Sequence, residues 1–121
     1  MIRSLSTLAL ATGVCLSLAL PAAAQSKADV DKGAALFTSK TCVMCHSVGT
    51  KGNKKGPLDE VAKKLKTEEI REWLTNPDEM REKTKATRAP AMKQLHLSKD
   101  QVDALVAFLQ AQKGSTGNAQ K

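Results

Sequence analysis

The sequence predicts an all-α domain of four to five short helices joined by loops. Apolar residues recur at helical spacing in four separate segments, and no stretch alternates apolar and polar residues over a useful length. Large apolar side chains are scarce, because the 121 residues contain no tyrosine and only three aromatic residues: Phe37, Trp73 and Phe108. Since so few large side chains make a stable core difficult to build from protein alone, we expect a non-protein group to fill part of it.

The first 24 residues are predicted to be a secretory signal peptide. Met1-Ile2-Arg3 is a short cationic start, an apolar run extends from Leu5 to Leu20, and Pro21 precedes three alanines where a signal peptidase would cut. The run is shorter than the roughly 20 residues of a membrane span, although an uncleaved N-terminal anchor is the competing interpretation. The sequence therefore predicts export to the periplasm and one mature domain, residues 25–121, without a membrane span.

The predicted mature chain is basic. After loss of Arg3, 18 of the 19 Lys and Arg residues remain against 12 Asp and Glu, which leaves a formal charge of +6. A basic surface favours acidic partners or anionic surfaces. Nucleic acid is not an expected partner, because the lysines are scattered, export is predicted and no nucleic-acid motif is present.

The first predicted helix follows a loose lead-in, residues 25–28, and has Asp29 as its capping residue. It ends near Ser39-Lys40. After a loop rich in lysine and glycine, residues 49–56, helical spacing predicts a short helix over residues 59–66. Thr67 is expected to cap a further helix whose apolar side is Ile70, Trp73 and Leu74.

Asn76-Pro77 ends that helix and can start another, with Asn as cap and Pro at the first helical position. Residues 81–89 are polar and are expected to be mostly loop. Ser98 begins the last helix, and Gln101 completes a capping box. Gly114 is expected to stop this helix, and residues 115–121 to be frayed.

Cys42-Val43-Met44-Cys45-His46 has the spacing C-x-x-C-H, which is the attachment motif of c-type haem. Two thiols three positions apart can form thioethers with the two vinyl groups on one edge of a porphyrin. The adjacent imidazole of His46 can then coordinate the iron. We refer to these five residues as the attachment motif.

Three other interpretations of the attachment motif are a redox dithiol, a zinc site and a disulfide. A thioredoxin-like dithiol is expected near a βαβ pattern, which is absent. Zinc needs four ligands, whereas the only other histidine is His96 and the predicted mature chain has no other cysteine. Composition alone leaves a plain Cys42–Cys45 disulfide open, but a disulfide would not explain the histidine.

The mature sequence resembles class I bacterial cytochromes c with a single haem over nearly its whole length. The resemblance rests on the attachment motif and on four features in the family's order. They are the helical run of residues 31–37 before Cys42, Gly56-Pro57-Leu58, Trp73-Leu74-Thr75-Asn76-Pro77, and Pro90-Ala91-Met92 before a C-terminal helix. It implies the cytochrome c fold, in which the N- and C-terminal helices cross and the helices surround one covalently bound haem.

By this resemblance, Met92 is the distal iron ligand opposite His46. The competing side chains are Met80, His96, Met44 and the lysines. Met80 is expected to lie on the surface or fill a gap, and Met44 is expected to pack on the proximal side. The resemblance also implies that the carbonyl of Pro57 accepts the Nδ1 proton of His46. Trp73 is implied either to donate to a haem propionate or to pack against the porphyrin. Gly33 and Phe37 are expected to pack against Leu105 and Phe108.

The implied function is that of a periplasmic single-electron carrier, not an enzyme, because two strong-field ligands leave no open position on the iron. Lysines 40, 51, 54, 55 and 93 are expected near the haem edge, where they could steer an acidic redox partner. The alternatives are a dedicated haem subunit of a periplasmic oxidoreductase and, from another class, a haem-based sensor or peroxidase. A monomer and a subunit of a redox complex both agree with the sequence.

Overall fold

Helices make up most of the described structure, a computed structural model that covers residues 26–114. In chain order the helices of this part are α1 (Lys27–Ser39), α2 (Val61–Lys64), α3 (Thr67–Thr75), α4 (Pro77–Thr84) and α5 (Lys99–Gln110). One 3₁₀ turn, Cys42–Met44, follows α1. It is followed by an antiparallel hairpin of β1 (Ser47–Val48) and β2 (Lys51–Gly52). The all-α prediction is confirmed, with this small hairpin as an addition.

The hairpin escapes sequence analysis because each strand has two residues, too few to show alternation. Gly49 and Gly52 turn the chain with φ of +59° and +94°, in the left-handed region that favours glycine.

Helices α1 and α5 cross at the centre of the fold, as expected. A Cβ atom built on Gly33 would overlap the Ala104 carbonyl and lie 2.5 Å from the Cβ of Phe108. The rings of Phe37 and Phe108 are 5.5 Å apart and tilted by 51°. Because the two backbones approach so closely, the crossing requires glycine at position 33.

The core lies where α1, α2 and α3 pack against α5. Its central side chain is Leu105, which has no solvent exposure. The other members of the buried apolar cluster are Phe37, Val61, Ile70, Leu74, Val102, Val106 and Leu109. Half of this cluster comes from α5, because its apolar stripe faces three other helices.

The start of α5 agrees with the prediction, and the start of α1 does not. At α5, Gln101 N–H donates to Ser98 Oγ at 3.3 Å and Ser98 N–H donates to Gln101 Oε1 at 3.0 Å, so the predicted capping box is confirmed. The prediction of Asp29 as the cap of α1 is wrong. Ser26 is the cap, since its Oγ accepts from Asp29 N–H at 3.1 Å, and residues 27–28 are helical rather than a lead-in.

Four further boundaries shift. The short second helix covers only Val61–Lys64. The N-cap of α3 is Lys66 rather than Thr67, and Lys66 N–H donates to the Glu69 carboxylate at 2.8 Å. Helix α4 continues to Thr84 and ends at Lys85, which has φ of +56°, so residues 81–84 are not loop. Helix α5 ends at Gln110, before Gly114.

Nothing in residues 26–114 has the length and apolarity of a transmembrane helix. The predicted signal peptide and the predicted frayed end, residues 115–121, lie outside the described residues.

Candidate functional site

The attachment motif forms a tight turn directly after α1. Thr41 has a left-handed conformation with φ of +60°, which ends the helical direction. The N–H groups of Cys45 and His46 both donate to the carbonyl of Cys42, at 3.1 and 2.9 Å. The turn therefore holds the two cysteines and the histidine as one compact unit. Cys42 is half-buried and Cys45 is exposed.

Both thiols of the attachment motif are free in this structure, so the disulfide alternative is not observed. Burial raises the pKa of the Cys42 thiol, and the neighbouring Cys45 raises it further. No group of three or more His, Cys, Asp or Glu side chains that could hold a metal ion occurs within residues 26–114.

His46 is held in one orientation by a backbone carbonyl. Its Nδ1 lies 3.2 Å from the carbonyl oxygen of Gly56. Since a carbonyl can only accept, Nδ1 carries the proton and Nε2 is left as the metal-binding atom. Burial lowers the pKa of His46; the hydrogen bond to the Gly56 carbonyl opposes this shift, and the charge of Arg88 adds to it.

The prediction that the Pro57 carbonyl accepts from His46 is wrong by one residue. Ser47 pairs with Pro57 in a short parallel bridge: Ser47 N–H donates to Gly56 O at 3.0 Å, and Leu58 N–H donates to Ser47 O at 2.8 Å. This pairing places the Gly56 carbonyl beside the start of β1. One carbonyl oxygen then accepts from both Ser47 N–H and His46, which its two lone pairs allow.

Asn53 forms hydrogen bonds with the attachment motif, and sequence analysis did not identify it. Its Nδ2 donates to Met44 O at 3.0 Å, and its backbone N–H lies 3.0 Å from the carbonyl oxygens of both Val43 and His46. Its Oδ1 accepts from Lys55 N–H at 3.0 Å, which forms an Asx turn. An asparagine inside a loop of glycines and lysines is the sequence signal that could have identified it.

Arg88 was also missed. It contacts the attachment motif although it lies far away in sequence. Its Nη2 donates to the carbonyl of Cys45, and its Nη1 lies 3.4 Å from Nδ1 of His46. A Cβ atom built on Gly56 would overlap both this guanidinium and the Cys45 carbonyl, so glycine is required for the approach. No local pattern in the sequence indicates a contact across 42 positions.

Met92 is half-buried in the segment between α4 and α5 and packs at the edge of the apolar core, as does Leu97. The segment is attached to α3 where Gln94 Nε2 donates to Thr75 O at 2.6 Å. Met92 is thus partly accessible and lies beside the core.

The competing side chains differ from Met92 in their exposure. Met80 is 2% exposed, so it fills a gap inside the protein. His96 is exposed, with φ of +47°. The expectation that Met44 packs on the proximal side is wrong: it is 70% exposed, because the 3₁₀ turn directs Val43 onto the core and Met44 away from it.

Trp73 lies on α3 and is half-buried. Its indole forms no hydrogen bond with any residue of the described range. Both implied roles for Trp73, as a propionate donor and as a packing surface, stay predictions.

The residues present fit a covalently attached haem. The donor set consists of two free thiols, an imidazole oriented with Nε2 available, and a half-buried thioether. Partly exposed apolar side chains surround the buried cluster, among them Val43, Leu58, Leu65 and Leu97. Such side chains provide the apolar surface that a macrocycle can cover.

Comparison with known families agrees with this arrangement. The family model described as Cytochrome c matches residues 30–113, more than two thirds of the chain, and this range includes the attachment motif and Met92. No curated protein and no solved structure shows significant similarity to the chain.

Proposed function

Since the chain belongs to the cytochrome c family, and therefore carries a covalently bound haem c and serves as a haem-based electron carrier, we propose that it is a periplasmic single-electron carrier with His46 and Met92 as iron ligands. The observation that carries the proposal is the oriented histidine beside two free thiols. Covalent attachment at Cys42 and Cys45 keeps the haem bound even when the protein opens.

The ligand pair determines the chemistry. A thioether is a soft ligand that stabilises Fe(II), so methionine ligation raises the reduction potential relative to two histidines. The hydrogen bond from His46 Nδ1 to the Gly56 carbonyl increases the donor strength of the imidazole. A haem with two strong protein ligands has no open position for oxygen or peroxide, so we propose that the protein is not an enzyme.

The test of Met92 is a visible spectrum of the oxidised protein. Wild type is expected to show the weak red band typical of methionine-bound ferric haem, and Met92→Ala to lose it. Met80→Leu is the matched control, because it removes the buried thioether while nearly conserving volume, and it is expected to keep the band. Persistence of the band in Met92→Ala, with its loss in Met80→Leu, would move the ligand to Met80.

The periplasmic location rests on residues 1–24, which have the composition of a signal peptide. Cell fractionation and the intact mass of the purified protein test it. We expect a haem-stained periplasmic protein that starts at Gln25. A haem-loaded protein that retains residues 1–24 and sediments with membranes would support the uncleaved anchor instead.

Partners are proposed to be redox proteins with acidic docking surfaces. Residues 40–58 contain four lysines and residues 83–99 contain five cations, whereas neither segment contains an acidic residue. The contact of Arg88 with Cys45 joins the two segments beside the site. Raising the ionic strength is expected to slow electron exchange with the partner, and an unchanged rate would contradict the proposal.

Two measurements separate a free carrier from the alternatives. A native extract run on size-exclusion chromatography is expected to give a free small haem protein; co-elution with a catalytic partner would indicate a dedicated subunit. Carbon monoxide is expected not to bind the reduced protein at neutral pH. Binding would favour the sensor or peroxidase.

A further inference from the structure

The segment that carries Met92 has unusually little backbone support. Residues 87–97, which we call the Met92 segment, form no backbone–backbone hydrogen bond within the described structure. Met92 and Leu97 pack on the core, and two side chains supply hydrogen bonds to the rest of the fold: Gln94 to Thr75 O and Arg88 to Cys45 O. The position of Met92 therefore depends on a few side-chain contacts.

The hydrogen bond of Arg88 to the Cys45 carbonyl joins the Met92 segment to the attachment motif. Both segments lie in basic stretches of the chain: Lys93 belongs to the Met92 segment, and Lys51, Lys54 and Lys55 follow the attachment motif. Like charges repel, so the approach needs a specific attraction. The hydrogen bond from the guanidinium to the Cys45 carbonyl supplies it.

The second contact of Arg88 is electrostatic. Nη1 lies 3.4 Å from His46 Nδ1, but a guanidinium can only donate and Nδ1 already donates its proton to the Gly56 carbonyl. The contact therefore places a permanent positive charge next to the imidazole and forms no hydrogen bond there. A nearby cation disfavours oxidation of an iron bound by the imidazole, because oxidation adds one positive charge there.

We propose that Arg88 is a positioning residue that ties the Met92 segment to the attachment motif, and that its charge beside His46 favours the reduced haem. The inference rests on the proposed function, because it assumes that His46 and Met92 bind the iron from opposite sides. It adds a residue that acts through both ligands without touching the iron.

The test compares four haem-loaded full-length proteins: wild type, Arg88→Gln, Arg88→Lys and Lys85→Gln. Lys85→Gln is the matched control, because it removes the same charge from an exposed side chain three residues away. The readouts are the reduction potential and the affinity of the oxidised protein for added imidazole, which binds iron when Met92 is displaced.

Arg88→Gln is expected to lower the reduction potential and to raise the imidazole affinity about tenfold, the change that corresponds to losing one charge-assisted hydrogen bond at the weak end of its range. Arg88→Lys keeps the charge without the fork of donors, so its potential should stay near wild type while imidazole binds more tightly. Lys85→Gln is expected to leave imidazole affinity unchanged and to move the potential less than Arg88→Gln.

An unchanged imidazole affinity in Arg88→Gln, or a potential that moves no further than in Lys85→Gln, would overturn the inference. If Arg88→Gln does not accumulate with haem, Arg88→Lys decides: wild-type imidazole affinity would overturn the inference. Failure of the proposed function is distinguishable, because it would appear in wild type as absent haem staining or an absent methionine band.

Discussion

Substitution of Gly33 by alanine tests the helix crossing that holds the attachment motif in place. In an ordinary helix position, Gly→Ala stabilises by about 1 kcal/mol. Here the new Cβ would lie 2.8 Å from the carbonyl carbon of Ala104, a backbone atom that cannot rotate away. Overpacking of this kind costs about 1–3 kcal/mol, and a rigid backbone neighbour favours the upper part of that range. We therefore expect a net loss of about 1–2 kcal/mol in the free energy of unfolding.

The assay is urea unfolding of the oxidised, haem-loaded protein followed by far-UV circular dichroism. Ala35→Gly is the matched control, because Ala35 is exposed on the same helix and reports the Gly–Ala propensity difference without a clash. It should lose about 1 kcal/mol. If Gly33→Ala unfolds at a higher urea concentration than wild type, the helices are not in contact at Gly33 and the reasoning fails.

Three further predictions concern the core, a surface ion pair and the attachment motif. Leu105→Ala should lower the free energy of unfolding by about 2–5 kcal/mol in urea titrations, since the side chain has no exposure; a loss below 1 kcal/mol would contradict its central position. Hydrogen bonds from Lys99 and Arg71 lower the pKa of Asp103. The stability that these bonds provide is therefore present at neutral pH and disappears as the pH falls through the lowered pKa. The difference in urea midpoint between wild type and Asp103→Asn should close below about pH 4, and a constant difference would contradict the linkage. Gly56→Ala should reduce the yield of haem-loaded protein severalfold, because its Cβ overlaps a backbone carbonyl in the attachment motif; wild-type yield would show that the loop adapts.

Most of the helical framework could be predicted from the sequence because its signals are local. The capping box of α5 needs only Ser98 and Gln101. The attachment motif is equally local, since its chemistry depends on three residues within five positions. Short-range signals gave correct predictions for the capping box and for the haem c cofactor. The crossing of α1 with α5 is a long-range contact, and it was predicted from the family resemblance.

The errors at the site concern features that no short sequence pattern determines. Whether Gly56 or Pro57 faces His46 depends on the bridge between Ser47 and Pro57, a register that no single residue determines. The exposure of Met44 follows from the direction of a 3₁₀ turn, which hydrophobicity does not indicate. Arg88 could not be found because its partners are more than 40 positions away.

The dominant share of α5 in the core has a consequence for the order in which the chain can fold. Contacts between the first and last helices form only after nearly the whole polypeptide is available, and such distant contacts are slow to form. A chain that lacks residues 99–110 has no Leu105 to close its interior. Until α5 forms, Cys42, which is half-buried in the folded protein, remains in an open polypeptide and is accessible.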